Sequence, residues 1–413
     1  MATLITSPWS NGRRFTVVSD DISGVEQAKL MANDGKWEDR FGISASVSND
    51  GNICVVGAVL SGANGSQAGA AYVYRRQNGV WSQEAKLTTS DGQSGDSFGY
   101  TVAISGDGAT VSVSSVNDGD SGSNRGSVYV FVKSGSDWVQ QTKLLPPAAE
   151  ATTSYGISAS LSSDGNTLAV GHQLEDSPTT DAGSVYIYVR TGAVWAEQAE
   201  LTVSDGIKNF GRSVSLSNSG NDIAIGAYGT AENHGCVYVF TRSGTTWSQQ
   251  ARVTASDGAS GDSLGSSVSI SGDGNTVLAG AHGDDTKGIS AGAAYVYTRS
   301  GVIWSQHSKL MLSDGSAGDY FGVSVSINDD GSFCAVGAHR DDDKDEDSGS
   351  VTIFKKNGAV WEQTYKLLAS DGRNSDIFGY SVSLSGDGKT CVGGAYLNSN
   401  PRGTNAGAAY VFI

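Results

Sequence analysis

From residue 25 onward the chain passes repeatedly through the same order of apolar and polar positions. In Phe321-Gly-Val-Ser-Val-Ser-Ile327 large apolar and small residues alternate, the period-2 signature of a strand. Asn328-Asp-Asp-Gly331 follows as a tight turn, because Asp/Asn-Gly supplies the positive φ a hairpin needs. Ser332 to Ala338 is almost wholly apolar and reads as a second strand buried on both faces. After a polar loop, Ser350-Val-Thr-Ile-Phe354 reads as a third strand, Asn357-Gly358 as a turn, and Trp361 to Leu367 as a fourth. Strict alternation in that fourth strand puts Trp361, Gln363, Tyr365 and Leu367 on one face, with Glu362 and Lys366 facing out. Outward charges on an outer strand guard it against edge-to-edge pairing.

The order recurs along the whole chain. A Phe-Gly step or close equivalent stands at Phe41-Gly42, Phe98-Gly99, Tyr155-Gly156, Phe210-Gly211, Leu264-Gly265, Phe321-Gly322 and Phe378-Gly379, 54 to 57 residues apart. Four antiparallel strands repeated at this period predict an all-β, seven-bladed β-propeller of four-stranded antiparallel blades. The blades fall at about 41–87, 98–144, 155–201, 210–253, 264–310, 321–367 and 378–413 plus 25–30. Residues 1–24 match the repeat poorly and read as an N-terminal arm; 25–413 reads as a single domain. Val25 to Leu30 resembles a fourth strand, and Ala408 to Ile413 a third. Pairing them would close the ring and remove both exposed sheet edges.

Composition agrees with this reading. Gly accounts for 56 of 413 residues and Pro for 5, a turn-rich β composition without a long amphipathic helix. The formal charge of −16 argues against nucleic acid and anionic membrane as partners. No segment has the roughly 20 apolar residues of a membrane-spanning helix, and the N-terminus has no signal-peptide core. Cys54, Cys334 and Cys391 stand at equivalent repeat positions within apolar runs and are expected as buried free thiols.

The order Phe-Gly, strand, Gly-Ala, loop, Gly-x-x-Tyr resembles the FG-GAP repeat of integrin α-subunit propellers. It is more similar still to the bacterial and algal FG-GAP variant, with Leu-Thr-x-Ser-Asp-Gly-x-x-Gly-Asp-x-Phe-Gly. The resemblance spans about residues 25–413 and implies an extracellular or cell-surface adhesion role, within a larger surface protein or assembly. It does not bring over the integrin calcium loops, which have shrunk here to Ser-Gly-Asp-Gly at 105–108, 271–274 and 385–388. The family proline after Gly-Ala is also gone. Val59, Val116, Gln173, Tyr228, His282, His339 and Tyr396 replace it.

Three chemistries remain to be weighed. Gly95-Asp-Ser-Phe-Gly99 and Gly261-Asp-Ser-Leu-Gly265 fit the pattern of a hydrolase nucleophile. The serine nevertheless lies in a loop between strands, and Arg40, Ser154, Asn209, Tyr320 and Ile377 take its place in the other repeats, so no catalytic residue is assigned. The pairs Asp91/Asp96, Asp257/Asp262, Asp314/Asp319 and Asp371/Asp376 flank the Ser-Asp-Gly loops and are expected to hold backbone N–H groups. Asp284, Asp285, Asp341, Asp342, Asp343, Asp345 and Asp347 are candidate ligands for a divalent cation such as calcium, on a loop-rich, acidic face. That face would carry Trp37, Tyr228, His282, His339 and Tyr396 as candidate ligand-binding side chains, suited to stacking on a sugar or anchoring a protein.

The sequence therefore predicts a non-catalytic binding or adhesion propeller for a protein or glycan ligand. The alternative is a lectin, or a lyase-like carbohydrate-active enzyme, using the same face. An anionic polysaccharide would need a bridging cation or a local inversion of potential to bind a chain this acidic.

Overall fold

The structure, a computed structural model, describes residues 21–62, 67–119, 125–146, 154–176, 181–229 and 234–413. Residues 1–20 of the expected arm lie outside it, as do parts of the variable loops of blades one to four. Seven four-stranded antiparallel sheets form the ring. Blade one runs Phe41–Val47, Ile53–Ala58, Ala70–Gln77 and Val80–Leu87 from the first strand to the outermost. Blade seven takes three strands from the C-terminus and its outermost strand, Glu26–Leu30, from the N-terminal end. Their register pairs Glu26 with Phe412, Ala28 with Val411 and Leu30 with Ala409. Ile22 is fully buried in the same core cluster as Phe333 and Ile353, and the Ser23 N–H donates to the Ile413 carbonyl at 2.8 Å. The ring thus already includes Ile22, inside the expected arm.

The repeated glycines mark where blades touch. A Cβ on Gly57, the Gly-Ala glycine of blade one, would lie 1.9 Å from the carbonyl oxygen of Gly99, the Phe-Gly glycine of blade two. The first-strand serines act at the same junctions. Ser44, Ser158, Ser213, Ser267, Ser324 and Ser381 each donate to the Phe-Gly carbonyl of the next blade at 2.7–3.0 Å. Thr101 completes the circuit by donating to Ile157 O at 3.0 Å. What reads in sequence as large–small alternation is a hydrogen-bonded girdle of short hydroxyls between inner strands.

In the outer strand the strict alternation fails. Thr352 pairs with Lys366, Ile353 with Tyr365 and Phe354 with Gln363, leaving Thr364 as the extra residue of a β-bulge. Trp361 and Gln363 therefore share a face with Lys366, while Tyr365 and Leu367 take the other. A bulge at the equivalent place recurs in each of the other blades. Its consequence is to turn the outer-strand lysine back toward the loops.

Outer strands also clasp one another. Trp81, Trp138, Trp195, Trp247 and Trp304 each donate Nε1–H to Gln27, Glu84, Gln141, Gln198 and Gln250 of the preceding blade at 2.6–3.1 Å. At the next junction the acceptor position is His307, and among the described residues the buried Trp361 Nε1 has no partner. An unmade bond at a buried donor costs more than a made one contributes. His307→Gln is therefore expected to raise stability by about 1 kcal/mol. Denaturant midpoints of this variant against Trp361→Phe, which deletes the orphan donor, check the assignment.

All four cysteines, Cys236 included, are free and buried. Burial pushes the Cys391 thiol up to about 12, and raises those of Cys54 and Cys334 further in the same direction.

One end of the ring axis is closed. The turns between first and second strands hydrogen-bond one to the next: Asn49 N to Gly106 O, Asp107 N to Ser163 O, Ser163 N to Asn218 O, Asn218 N to Gly272 O, Asp273 N to Asp329 O and Asp329 N to Gly386 O, all at 2.9–3.1 Å. Asn49 reaches across to blades four and six, donating Nδ2–H to Asn218 Oδ1 at 3.3 Å and Asp329 Oδ2 at 2.9 Å. The near-identical Gly turns are therefore a plug. Among the described residues the axial channel is open on the loop-bearing face.

Candidate functional site: the mouth of the axial funnel

Two sets of residues line the open end. The residue after each Phe-Gly step stands where the first strand enters the channel: Ile43, Tyr100, Ile157, Arg212, Ser266, Val323 and Tyr380. The residue before it, Arg40, Ser97, Ser154, Asn209, Ser263, Tyr320 or Ile377, sits in every blade at positive φ, between 53° and 99°. The chain must turn sharply there from inter-blade loop into strand, and short polar side chains tolerate that corner best. Ser97 and Ser263 are two such corners. Each donates to a carbonyl two residues back, at 3.3 and 3.1 Å, and among the described residues neither is hydrogen-bonded to a histidine. The hydrolase-like pentapeptides are thus accounted for by backbone geometry.

The mouth is a cavity of about 460 Å³, lined by Arg40, Tyr100, Val116, Gln173, Tyr380 and Tyr396 among others. It continues into a channel space of about 260 Å³ walled by first-strand residues of all seven blades. One side of the rim is a continuous run of rings. His282 lies 6.0 Å from Tyr320, Tyr320 5.5 Å from His339, His339 5.7 Å from Tyr380, and Tyr380 4.7 Å edge-on to Tyr396, centroid to centroid. Guanidiniums stand over this run and beside it. Arg40 is 5.9 Å from the Tyr396 ring, Arg340 5.2 Å from Tyr320, and Arg212 5.9 Å from Tyr228.

The local potential follows from these neighbours. Burial, with Arg340 and His282 close by, drops the His339 imidazole to about 4. Burial and Arg212 lower His282 as well, whose Nδ1 lies 2.9 Å from Ser266 Oγ. Burial pushes the Tyr380 hydroxyl up to about 12, with Tyr100 and Tyr396 adding to the rise. These directions keep His282, His339, Tyr380 and Tyr396 uncharged at neutral pH. Among the described residues His339 Nδ1 is buried without a hydrogen-bond partner.

Of the side chains expected from sequence, His282, His339 and Tyr396 are thus brought into one ring run, and Tyr228 joins the rim through Arg212. Trp37 stands apart, 64% exposed, with its backbone packed against Gly403. Sequence reasoning missed Arg40, Arg212, Arg340, Tyr100 and Tyr380. The signal was available for Tyr100, Arg212 and Tyr380, since the position after Phe-Gly varies within an otherwise regular strand.

The candidate cation ligands are otherwise engaged. Lys366 Nζ, swung inward by the bulge, meets Asp341 at 2.7 Å, Asp343 at 2.5 Å and Asp314 at 3.1 Å. Lys309 takes Asp284 at 2.8 Å and Asp257 at 2.7 Å. Asp285, Asp342 and Asp345 accept backbone N–H groups of Ser290, Asp347 and Asn374, and Asp347 holds a left-handed corner, with φ 52°. Among the described residues no three His, Cys, Asp or Glu side chains are gathered to hold a metal ion. In five blades the third-strand tyrosine joins the same arrangement: Tyr72, Tyr129, Tyr238, Tyr295 and Tyr410 donate to Asp34, Asp91, Asp205, Asp257 and Asp371. Of the flanking aspartate pairs, the second members do accept backbone N–H groups, at Gln93, Ala259, Ser316 and Arg373. The first members pair with lysines instead, and Asp91, Asp257 and Asp371 accept from a tyrosine as well.

The FG-GAP repeat model matches seven segments: 25–74, 81–131, 138–188, 195–240, 247–297, 304–354 and 361–412. The chain belongs to the FG-GAP repeat family. Six of the seven FG-GAP matches begin at an outer-strand tryptophan or its equivalent, so the sequence unit straddles two blades and includes the clasp between them. None of the curated proteins compared with the chain matches it. Among solved structures, the β-propeller domain of Cps50 (Swd1) from Myceliophteria thermophila is similar at TM-score 0.60 and 8% identity, over 93% of this chain and 98% of that one. A candidate 6-phosphogluconolactonase from Bacteroides uniformis is similar at TM-score 0.55 and 14% identity, over 79% of this chain and 85% of that one. At these identities the likeness concerns the fold.

Proposed function

We propose that this FG-GAP propeller is a non-catalytic binding module whose ligand, a glycan or protein segment, seats in the mouth of the axial funnel. The observation that carries this reading is the rim itself, where rings from successive blades pack in a run around a cavity closed below. A rigid ring with variable loops on one face is the usual setting for recognition, and a cavity of this size suits part of a small ligand. The extracellular or surface adhesion role implied by family resemblance is compatible with such a seat and belongs to the same proposal.

A lyase-like reading fits the rim less well. A Tyr380 hydroxyl raised to about 12 and a His339 imidazole lowered to about 4 are each displaced away from neutrality, where a proton-abstracting group works best. The test is a glycan array followed by calorimetry on the best binder. Tyr396→Ala and Tyr380→Ala are each expected to weaken binding at least tenfold, and Trp37→Ala less than twofold. Binding that survives both tyrosine changes, or release of an unsaturated sugar product, would overturn the proposal.

A further inference from the structure

The arginines of the rim hold the more specific information. In a chain carrying −16 overall, the outer-strand Lys29, Lys86, Lys143, Lys309 and Lys366 are each paired with an aspartate. Arg75, Arg252 and Arg299 likewise meet Glu84, Asp205 and Asp222. Arg76, Arg190 and Arg242 lie over outer-strand tryptophans and donate to Asn and Gln side chains. Among the described residues Arg40, Arg212 and Arg340 have no carboxylate in ion-pair contact either, and each lies against a ring of the funnel rim. They come from blades one, four and six, so the fold alone brings them to one mouth. Arg40 lines the outer cavity and Arg212 its neck. The charged groups that bear on His282 and His339 are arginines, with no carboxylate among them. Among the described residues the charged side chains that line the cavity and its neck are guanidiniums, and positive charge gathered at a cleft concentrates anions there.

We propose that the funnel mouth takes an anionic saccharide, its carboxylate or sulfate groups met by Arg40, Arg212 and Arg340 and its sugar ring lying against Tyr380 and Tyr396. This rests on the mouth being the ligand seat. A guanidinium presents a planar fork of N–H donors that matches a carboxylate or sulfate two oxygens at a time. A pyranose offers a face of C–H groups that packs on the electron-rich face of a phenol ring. The blind end favours a ligand that enters end-on. A folded acidic protein would rest on the loops above and leave the neck, with Arg212, unfilled. No bridging cation is required, because the positive charge is already supplied by side chains.

The experiment is calorimetry on the full chain in EDTA, with four probes: oligogalacturonate, a sulfated galactan oligosaccharide, an uncharged cello-oligosaccharide and oligoglutamate. One or both acidic saccharides are expected to bind at least tenfold more tightly than the uncharged one, the pair distinguishing uronate from sulfate. Affinity should fall as salt rises. Arg40→Ala and Arg212→Ala should each weaken binding about tenfold, and Arg40→Lys should restore part of the loss. Equal affinity for the uncharged probe, no binding of either acidic saccharide at millimolar concentration, or equal binding of oligoglutamate would overturn the proposal. Sensitivity to Tyr396→Ala without sensitivity to the arginine changes would also overturn it while leaving the mouth as the seat. Insensitivity to both sets would remove the seat as well.

Discussion

Deleting residues 1–31 is expected to turn a closed monomeric ring into an aggregating species with little residual cooperativity. The loss would be large because Glu26–Leu30 is the outermost strand of blade seven and serves three roles at once. It satisfies the edge of Ala408–Phe412. It buries Leu30 against Phe41, in the core between blades seven and one. Its Gln27 is also the acceptor for Trp81 and Arg76 of blade one, while Lys29 ties it to Asp371 and Asn398. Loss of Leu30 and Ile22 alone removes about 2 kcal/mol of burial for each side chain. Against a total stability of roughly 5–15 kcal/mol, adding the broken ladder brings the ring close to unfolding. An exposed edge then offers a template for pairing with a second molecule. Size-exclusion chromatography and thermal melts check this, and a synthetic 21–31 peptide added in trans should recover the monomer. A truncated protein that stays monomeric with an unchanged melting temperature would contradict it.

Lys366→Met should cost about 3 kcal/mol, far more than an ordinary surface change. The reason is Asp341, whose side chain is only 3% exposed and whose carboxylate accepts from the Asp343 N–H and the Ser350 hydroxyl but has Lys366 as its ion-pair partner. Removing the ammonium leaves a buried carboxylate without its counter-charge, the costly half of a broken pair. Lys366→Arg should keep most of the stability. Acid should erode the neighbouring Lys366–Asp314 pair. The Lys366 ammonium helps hold the Asp314 carboxyl below its ordinary value of 3.8. A depressed folded-state value contributes stability above the unfolded value and loses it as pH falls through the folded one. Denaturant midpoints should therefore fall below about pH 4 in the parent and change less in Lys366→Met. Equal acid sensitivity in the two proteins would place the effect elsewhere.

Much of this molecule was legible in one dimension. The seven Phe-Gly steps, the Asp-Gly turns and the split between an orphan fourth strand at one end and a missing one at the other determined blade count, strand order and closure. They did so because hydrophobic period and turn chemistry are local properties of the chain. Local pattern failed first in the outer strand. There a bulge at Thr364 put Lys366 on the face of Trp361, a reversal of phase that a period-2 count cannot contain. That single shift decided the fate of the acidic loops. Asp284 and the 341–347 run read as candidate cation ligands in sequence, and in the fold Lys309 meets Asp284 while Lys366 meets Asp341 and Asp343.

The mouth was likewise beyond the sequence. Tyr228, His282, His339 and Tyr396 could be found because they replace one motif position. Arg40, Arg212 and Arg340 occupy three different motif positions, in blades separated by more than a hundred residues. Only ring closure brings them to the rim of one channel, and among the described residues none of the three is in an ion pair there. Charge balance is a sum over space. The chain as a whole is acidic, while the charged side chains described at the funnel mouth and neck are arginines.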